Sequence, residues 1–208
     1  ENFTGKTGDE VTASAKDYAG FTYDESVAGT KKAGTIAGDG SLVLKLYYTR
    51  NTDTGYKVEH YLENLDKTGY EIKETENFTG KTGDEVTASA KDYAGFTYDE
   101  SVAGTKKAGT IAGDGSLVLK LYYTRNTDTR YKVEHYLENL DKTGFTIREF
   151  ESLTGKTGDE VTASAKDYAG FTYDESVAGT KKTGTIAGDG SLVLKLYYTR
   201  NTDTGYKV

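Results

Sequence analysis

The sequence predicts an α+β, β-rich fold, arranged as small repeat domains stacked end to end into an elongated rod. Three observations carry that prediction. The segment Glu1-Asn-Phe-Thr-Gly5 returns at Glu76 and, as Glu151-Ser-Leu-Thr-Gly155, at Glu151, a step of 75 residues each time. Each copy closes on a strictly alternating run. In the middle copy Leu117, Leu119, Leu121 and Tyr123 share one side, and Val118, Lys120, Tyr122 and Thr124 the other, which is the period of a strand. A short polar link then leads into a second alternating run, Tyr131-Lys-Val-Glu-His-Tyr136. The last strand of one unit therefore passes almost directly into the first strand of the next. A period of 75 residues exceeds that of solenoid repeats and leaves each unit enough chain for its own core.

The copies are nearly identical. Residues 1–50 and 76–125 match throughout, and the third copy departs from them at Ser152, Leu153 and Thr183. The turn-prone link Asn51-Thr-Asp-Thr-Gly55 and its counterparts set the expected boundaries. Residues 1–51 read as the C-terminal part of a truncated repeat, 56–126 and 131–201 as complete repeats, and 202–208 as a linker with the start of another.

Within the repeat at 56–126 the elements follow in order. Tyr56, Val58, His60 and Leu62 place a first strand over Tyr56–Glu63, and Asn64–Gly69 supplies hairpin turn chemistry. Tyr70–Phe78 is a second strand. Thr82-Gly-Asp-Glu85 matches a capping box ahead of Val86, Ala90 and Tyr93, with Gly95 placed as a C-cap, which predicts a helix of two to three turns. The β-branched Val86 and Thr87 make a strand the competing assignment. Phe96–Tyr98 begins a short strand. Thr110–Ala112, the turn Gly113–Ser116 and Leu117–Arg125 read as a closing hairpin. The order strand, strand, helix, strand, short strand, strand suits a β-grasp (ubiquitin-like) sheet whose first and last strands are central and parallel. An all-β sandwich is the alternative if the helix is absent.

Composition narrows the function. The 208 residues include 18 Tyr and 7 Phe but no Trp, and hydrophobic content is only 35%, so the core is small and Tyr-rich. The absence of Cys removes disulfides, thiolate metal sites and cysteine nucleophiles. A formal net charge of −7 argues against a nucleic-acid partner. No apolar run approaches the roughly 20 residues of a membrane span. His60 and His135, the two histidines, occupy equivalent places and offer no metal cluster. Gly109-Thr-Ile-Ala-Gly-Asp-Gly115 lacks the Lys-Ser/Thr ending of a phosphate loop. No catalytic, metal or cofactor site is expected, and the chain reads as a non-enzyme. The tyrosines out of phase with the core, Tyr61 and Tyr122 with their counterparts Tyr136 and Tyr197, are the candidate ligand contacts. An exposed phenol ring can stack on the C–H face of a sugar while its hydroxyl bonds sugar hydroxyls. The competing reading makes them core under a covering helix.

Taken together, Tyr131-Lys-Val-Glu-His-Tyr136, Leu153-Thr-Gly-Lys-Thr-Gly-Asp159, Ala169-Gly-Phe-Thr-Tyr173, Gly184-Thr-Ile186 and the closing Leu-Lys-Leu-Tyr-Tyr-Thr199 resemble the MucBP (mucin-binding protein) repeats of Gram-positive bacterial surface adhesins. The resemblance spans each whole unit, on turns and core positions. It implies a β-grasp-like fold and tandem, cell-wall-anchored modules of an extracellular protein, some of which bind host mucin glycans. The short link and the entry and exit at opposite ends of a unit imply a monomeric rod, and the resemblance implies an anchor outside this segment. A purely structural stalk is the alternative that near-identical copies favour.

Overall fold

A computed structural model describes residues 1–66 and 68–205. Among these residues there are sixteen strands and no helix. In the first copy they are β1 (Glu10–Thr12), β2 (Phe21–Tyr23), β3 (Ala33–Thr35) and β4 (Tyr48–Arg50). The middle copy with its leading hairpin gives β5 (Thr54–Glu63), β6 (Tyr70–Gly80), β7 (Glu85–Thr87), β8 (Phe96–Tyr98), β9 (Ala108–Thr110) and β10 (Val118–Arg125). The third gives β11 (Thr129–Glu138), β12 (Phe145–Gly155), β13 (Glu160–Thr162), β14 (Phe171–Tyr173), β15 (Thr183–Thr185) and β16 (Val193–Arg200). The chain forms two compact units. One comprises Glu1–Glu59, Glu74–Ser89 and Gly104–Leu121, the other His60–Lys73, Ala90–Ala103 and Tyr122–Val208.

The third repeat lies wholly in the second unit and shows the plan. Its main sheet has the order β12-β11-β16-β14. The first and last strands are central and run parallel, Lys132 opposite Val193 through Leu137 opposite Tyr198, as the element order predicts. β12 and β14 flank them antiparallel, and β13 and β15 form a separate two-stranded ribbon. Alternation on β16 decides the core. Leu192, Leu194, Leu196 and Tyr198 are buried and meet Val133, Ala163 and Ile186, with Val161, Tyr168 and Phe171 packed around them. Each of the buried Leu, Ile and Val side chains contributes about 1.5–3 kcal/mol by leaving water.

Two sequence expectations are corrected. The predicted helix is absent, and with it the β-grasp arrangement: the fold is all-β. Val161 and Thr162 pair with Gly184 and Thr183, as β-branched residues favour. The capping groups are engaged elsewhere. Thr157 Oγ1 lies 2.7 Å from Thr129 Oγ1, and its N–H donates to the Asn126 carbonyl at 2.9 Å. Further along, the N–H of Ala163 donates to the Lys182 carbonyl and that of Lys166 to the Tyr198 hydroxyl, so neither serves a helical ladder. Gly170, at φ 82°, turns the chain between Tyr168 and Phe171 instead of ending a helix.

The closing hairpin is also corrected. The turn exists, with Gly190 donating to the Ala187 carbonyl and Ser191 to Asp189 Oδ1. Its two arms belong to different sheets, however: β15 pairs β13, and β16 pairs β11 and β14. In the first hairpin loop the N–H of Asn64 donates to the Gly69 carbonyl at 2.8 Å. Lys67, within the predicted turn, and 206–208, within the predicted start of another repeat, lie outside the described residues.

Candidate functional site

The four candidate tyrosines resolve into two pairs. Parallel pairing sets Tyr136 directly opposite Tyr197. Their rings stack with centroids 4.7 Å apart and an interplanar angle of 16°. Tyr61 and Tyr122 stack with the same distance and angle. All four are half-buried, on the side of their strands opposite the buried Leu and Tyr positions. Each pair has an edge-on neighbour: Phe145 against Tyr197 at 5.1 Å and Tyr70 against Tyr122 at 5.1 Å. Lys195 Nζ sits 5.9 Å from the Tyr136 ring centre, within cation–π range. The Tyr136 hydroxyl donates to Glu134 Oε2 at 2.7 Å. That bond and partial burial push its pKa up to about 12, so it stays a neutral donor at every physiological pH. The surface thus offers ring edges, a phenol, a carboxylate and an ammonium, the groups that bind a polyhydroxylated ligand. Part of each ring face is already covered by its neighbours.

A second cluster lies in the core of the third repeat. His135 is fully buried, and its Nδ1 lies 2.9 Å from the Tyr198 hydroxyl, whose oxygen accepts the Lys166 N–H at 2.9 Å. The phenol and Nδ1 share one hydrogen bond in the interior. Burial, then the nearby Lys166 charge, lowers the His135 pKa. Around it Lys166 ion-pairs with Glu149 at 3.4 Å and with Glu151, while the Tyr168 hydroxyl donates to Glu149 Oε1 at 2.5 Å. A histidine sealed from solvent cannot exchange protons with a diffusing substrate, so this cluster is structural. His60 repeats the pairing with Tyr123 at 2.8 Å. Sequence phase alone carries the signal, since His60 follows Val58, and Tyr123 follows Leu121, on inward-facing positions.

The third assembly, which the sequence reading missed, is the seam between consecutive copies. In the second unit Arg125, its side chain fully buried, places Nε 3.2 Å from Glu63 Oε1. Its Nη1 donates to the Thr157 carbonyl at 3.0 Å and to Asp159 Oδ1 at 3.2 Å. Glu63 also receives the Arg125 N–H at 2.9 Å and Lys156 Nζ at 3.1 Å. Gly188 approaches Ala94 and Gly95 so closely that a Cβ on it would stand 2.2 Å from the Ala94 carbonyl oxygen, and Gly158 packs on Leu65. In the first unit the same parts recur: Arg50 Nη1 donates to the Thr82 carbonyl at 3.0 Å and Asp84 at 2.9 Å, and Gly113 packs on Ala19. Recurrence at one 75-residue step of an Arg closing the last strand and a Lys-Thr-Gly-Asp turn is the sequence signal for this contact.

The all-β sheets, the stacked tyrosine pairs and the buried histidines recur at the 75-residue step, which describes a protein built of tandem repeat domains. The chain belongs to the MucBP domain family, which matches it three times, at residues 1–49, 60–124 and 135–199. Among curated relatives, Internalin J of Listeria monocytogenes serovar 1/2a (strain ATCC BAA-679 / EGD-e) is 28% identical over 206 residues, 98% of this chain and 23% of the relative. Internalin J of serotype 4b (strain F2365) is 28% identical, with 95% and 20% covered. The chain therefore spans under a quarter of the length of these relatives. Among solved structures, Mub-RV is 12% identical with a TM-score of 0.24, covering 71% of this chain and 99% of that one. The SHIRT domains 3–4 from a cell surface protein are 16% identical with a TM-score of 0.23, covering 70% and 98%.

Proposed function

We propose that this chain is the tandem-repeat region of a Gram-positive cell-surface adhesin, extracellular, whose outward tyrosine pairs bind host mucin-type glycans. Membership of the MucBP family, repeated three times along the chain, is the observation that carries the reading. The proposed repeats are 56–126 and 131–201. At each of them a stacked pair, Tyr61 with Tyr122 and Tyr136 with Tyr197, presents hydroxyls and ring edges. Sugar C–H groups would lie against the ring edges, while Glu134 and Lys195 would bond hydroxyls or an acidic substituent. The test is a mucin-glycan array probed with this chain and with Tyr136→Ala/Tyr197→Ala. Binding that falls in the double variant supports the site. Silence of the wild-type chain across the array removes the glycan half of the proposal.

A second reading, a stalk without a ligand of its own, is favoured by the seams and by the coverage of the tyrosine ring faces. Parallel first and last strands bring the chain into a repeat at one end and out at the other. Added repeats would then lengthen an extended array. Small-angle scattering on chains of increasing repeat number checks this: maximum dimension should grow by a constant increment, and a plateau would contradict it.

A further inference from the structure

The outward side of the third repeat's main sheet carries one aromatic ring that the tyrosine pairs leave unexplained. Phe150 on β12 lies directly opposite Glu134 on β11, and Ile147 lies opposite Tyr136. Phe150 and Ile147 are three positions apart, a spacing that sends side chains to opposite sides of a regular strand. Here the register shifts between His135 and Tyr136 and leaves Arg148 as an extra residue. Such a bulge re-aims the side chains beyond it, so Ile147 and Phe150 both face outward, beside Tyr136. Phe150 is 61% exposed and Ile147 47%. With the half-buried Tyr136 and Tyr197 they form an apolar patch rimmed by Lys132, Glu134 and Lys195, the form that an interaction site takes on a soluble protein.

The rings of this patch are not equivalent. Tyr136 and Tyr197 cover each other's faces, with centroids 4.7 Å apart. Among the described residues no aromatic ring stacks on Phe150. Its ring is met by Lys132 Nζ, 5.7 Å from the centre, within cation–π range. The ring is also particular to this repeat. One 75-residue step earlier the position holds Thr75. Thr75 is exposed, so the position is open in the middle of the chain as well as here. Phe145, edge-on to Tyr197, stands where the earlier repeat has Tyr70. The substitutions from the second repeat to the third thus add an open ring face and remove a phenol.

We propose that Phe150 is the sugar-stacking platform of this chain, and that it makes the third repeat the binding module for an oligosaccharide of at least two sugars, with the second repeat a spacer. The proposal rests on the glycan reading given above. Stacking on the C–H face of a sugar needs an open ring face, and Phe150 supplies one where the paired tyrosines supply edges and hydroxyls. Phe150 and Tyr136 are diagonal neighbours on adjacent strands, about 7–8 Å apart. That distance exceeds a pyranose ring, so one sugar stacked on Phe150 does not reach the tyrosine pair, and the next sugar in the chain would lie over it. Glu134 sits between Phe150 and Lys195 across the three strands. A carboxylate with an ammonium on each flank, Lys132 and Lys195, both accepts from and donates to sugar hydroxyls. The polar groups thus stand where the hydroxyl rim of the stacked sugars would fall.

Calorimetric titration of the full chain with oligosaccharides released from mucin and fractionated by length tests this, alongside binding to intact and to deglycosylated mucin. The wild-type chain should show one site, and chains of two or more sugars should bind at least about tenfold tighter than monosaccharides, because two platforms then act together. Phe150→Thr installs the second repeat's residue at an exposed position. It should melt as the wild type does and bind at least about tenfold more weakly, the loss expected of an aromatic anchor. Phe150→Tyr keeps the ring and should bind like wild type. A wild-type chain silent toward every oligosaccharide ends this proposal together with the glycan reading. Binding that Phe150→Thr leaves unchanged, or two equal sites per chain, overturns this proposal alone and returns the site to the tyrosine pairs. Binding to deglycosylated mucin that still needs Phe150 overturns it as well, by assigning the patch to a polypeptide.

Discussion

Residues 1–50 and 151–200 have the same sequence at all but three positions, yet they are buried differently. Both keep the two-stranded ribbon in the same register, Val11 opposite Gly34 and Val161 opposite Gly184. Both also keep the short antiparallel pair, Tyr23 opposite Tyr48 and Tyr173 opposite Tyr198. The closing strand then diverges: β16 runs for eight residues and β4 for three. Leu194, Leu196 and Tyr198 are fully buried, while Leu44, Leu46 and Tyr48 are half-buried and Tyr47 is 39% exposed. The third copy has the β11–β12 hairpin beside it, and β11 is the parallel partner of β16. Antiparallel pieces close locally. The parallel ladder and the core under it need a strand contributed from before the repeated segment.

The largest expected difference between the copies lies in the core. Leu196→Ala should cost about 3–5 kcal/mol, the upper part of the range for a fully buried leucine, and the identical change at Leu46 less than half of that. Denaturant unfolding of the two variants, with hydrogen exchange to localise the loss, checks this. Equal costs would mean that the hairpin does not complete the core.

The three arginines extend the comparison to the seam. Among the described residues the Arg50 side chain bonds across its seam, that of Arg200 bonds within its own repeat, and that of Arg125 does both. Arg125→Ala should cost about 2–3 kcal/mol, because it takes the guanidinium from Glu63 and leaves the buried Thr157 carbonyl without that donor. At Arg50, an exposed pair, the loss should stay under about 1 kcal/mol. Matching losses would show that the seam alone, without Glu63, sets the strength of the clamp. Next, Gly188→Ala forces a methyl onto the Ala94 carbonyl and should cost about 1–2 kcal/mol, whereas Gly38→Ala should leave the melting temperature within error of wild type.

The smallest effect is one of pH. His135, neutral and buried in the folded chain, has its pKa lowered by burial and then by Lys166, with Glu149 and Glu151 opposing. A folded value below the unfolded one, about 6.5, means that its contribution is complete above that pH and is lost as pH falls toward the folded value. Replacing His135 by Gln should flatten the stability profile over that interval. An unchanged slope would assign acid sensitivity to the carboxylates instead.

Much of this was legible in the residues. Alternation located the long strands, the inward side of the last one, and the outward set that holds Tyr122 and Tyr197. Element order gave the parallel central pair. The helix failed because a capping box is a local pattern, and Thr157 spends its groups on Thr129 and Asn126, about thirty residues earlier. The hairpin failed for the same kind of reason: a good turn at Asp189-Gly190 says nothing about which sheet each arm joins. The tyrosines could be assigned to a face, but their stacking depends on the register of Tyr136 against Tyr197, which only the parallel pairing fixes. The seam stayed invisible because Arg125 and Asp159 are 34 positions apart and become partners only when two copies abut.

The parallel pairing of β11 with β16 has a mechanical consequence. A pull applied at the start of β11 and the end of β16 draws the two strands past each other lengthwise. Their hydrogen bonds lie across that direction and are strained together, so they cannot be peeled apart one by one. Tension along the third repeat therefore meets it on its most resistant axis, whereas among the described residues β4 of the first copy is paired with antiparallel β2 alone. Single-molecule extension should show the complete repeats yielding at higher force than residues 1–50, and a single common yield force would contradict it.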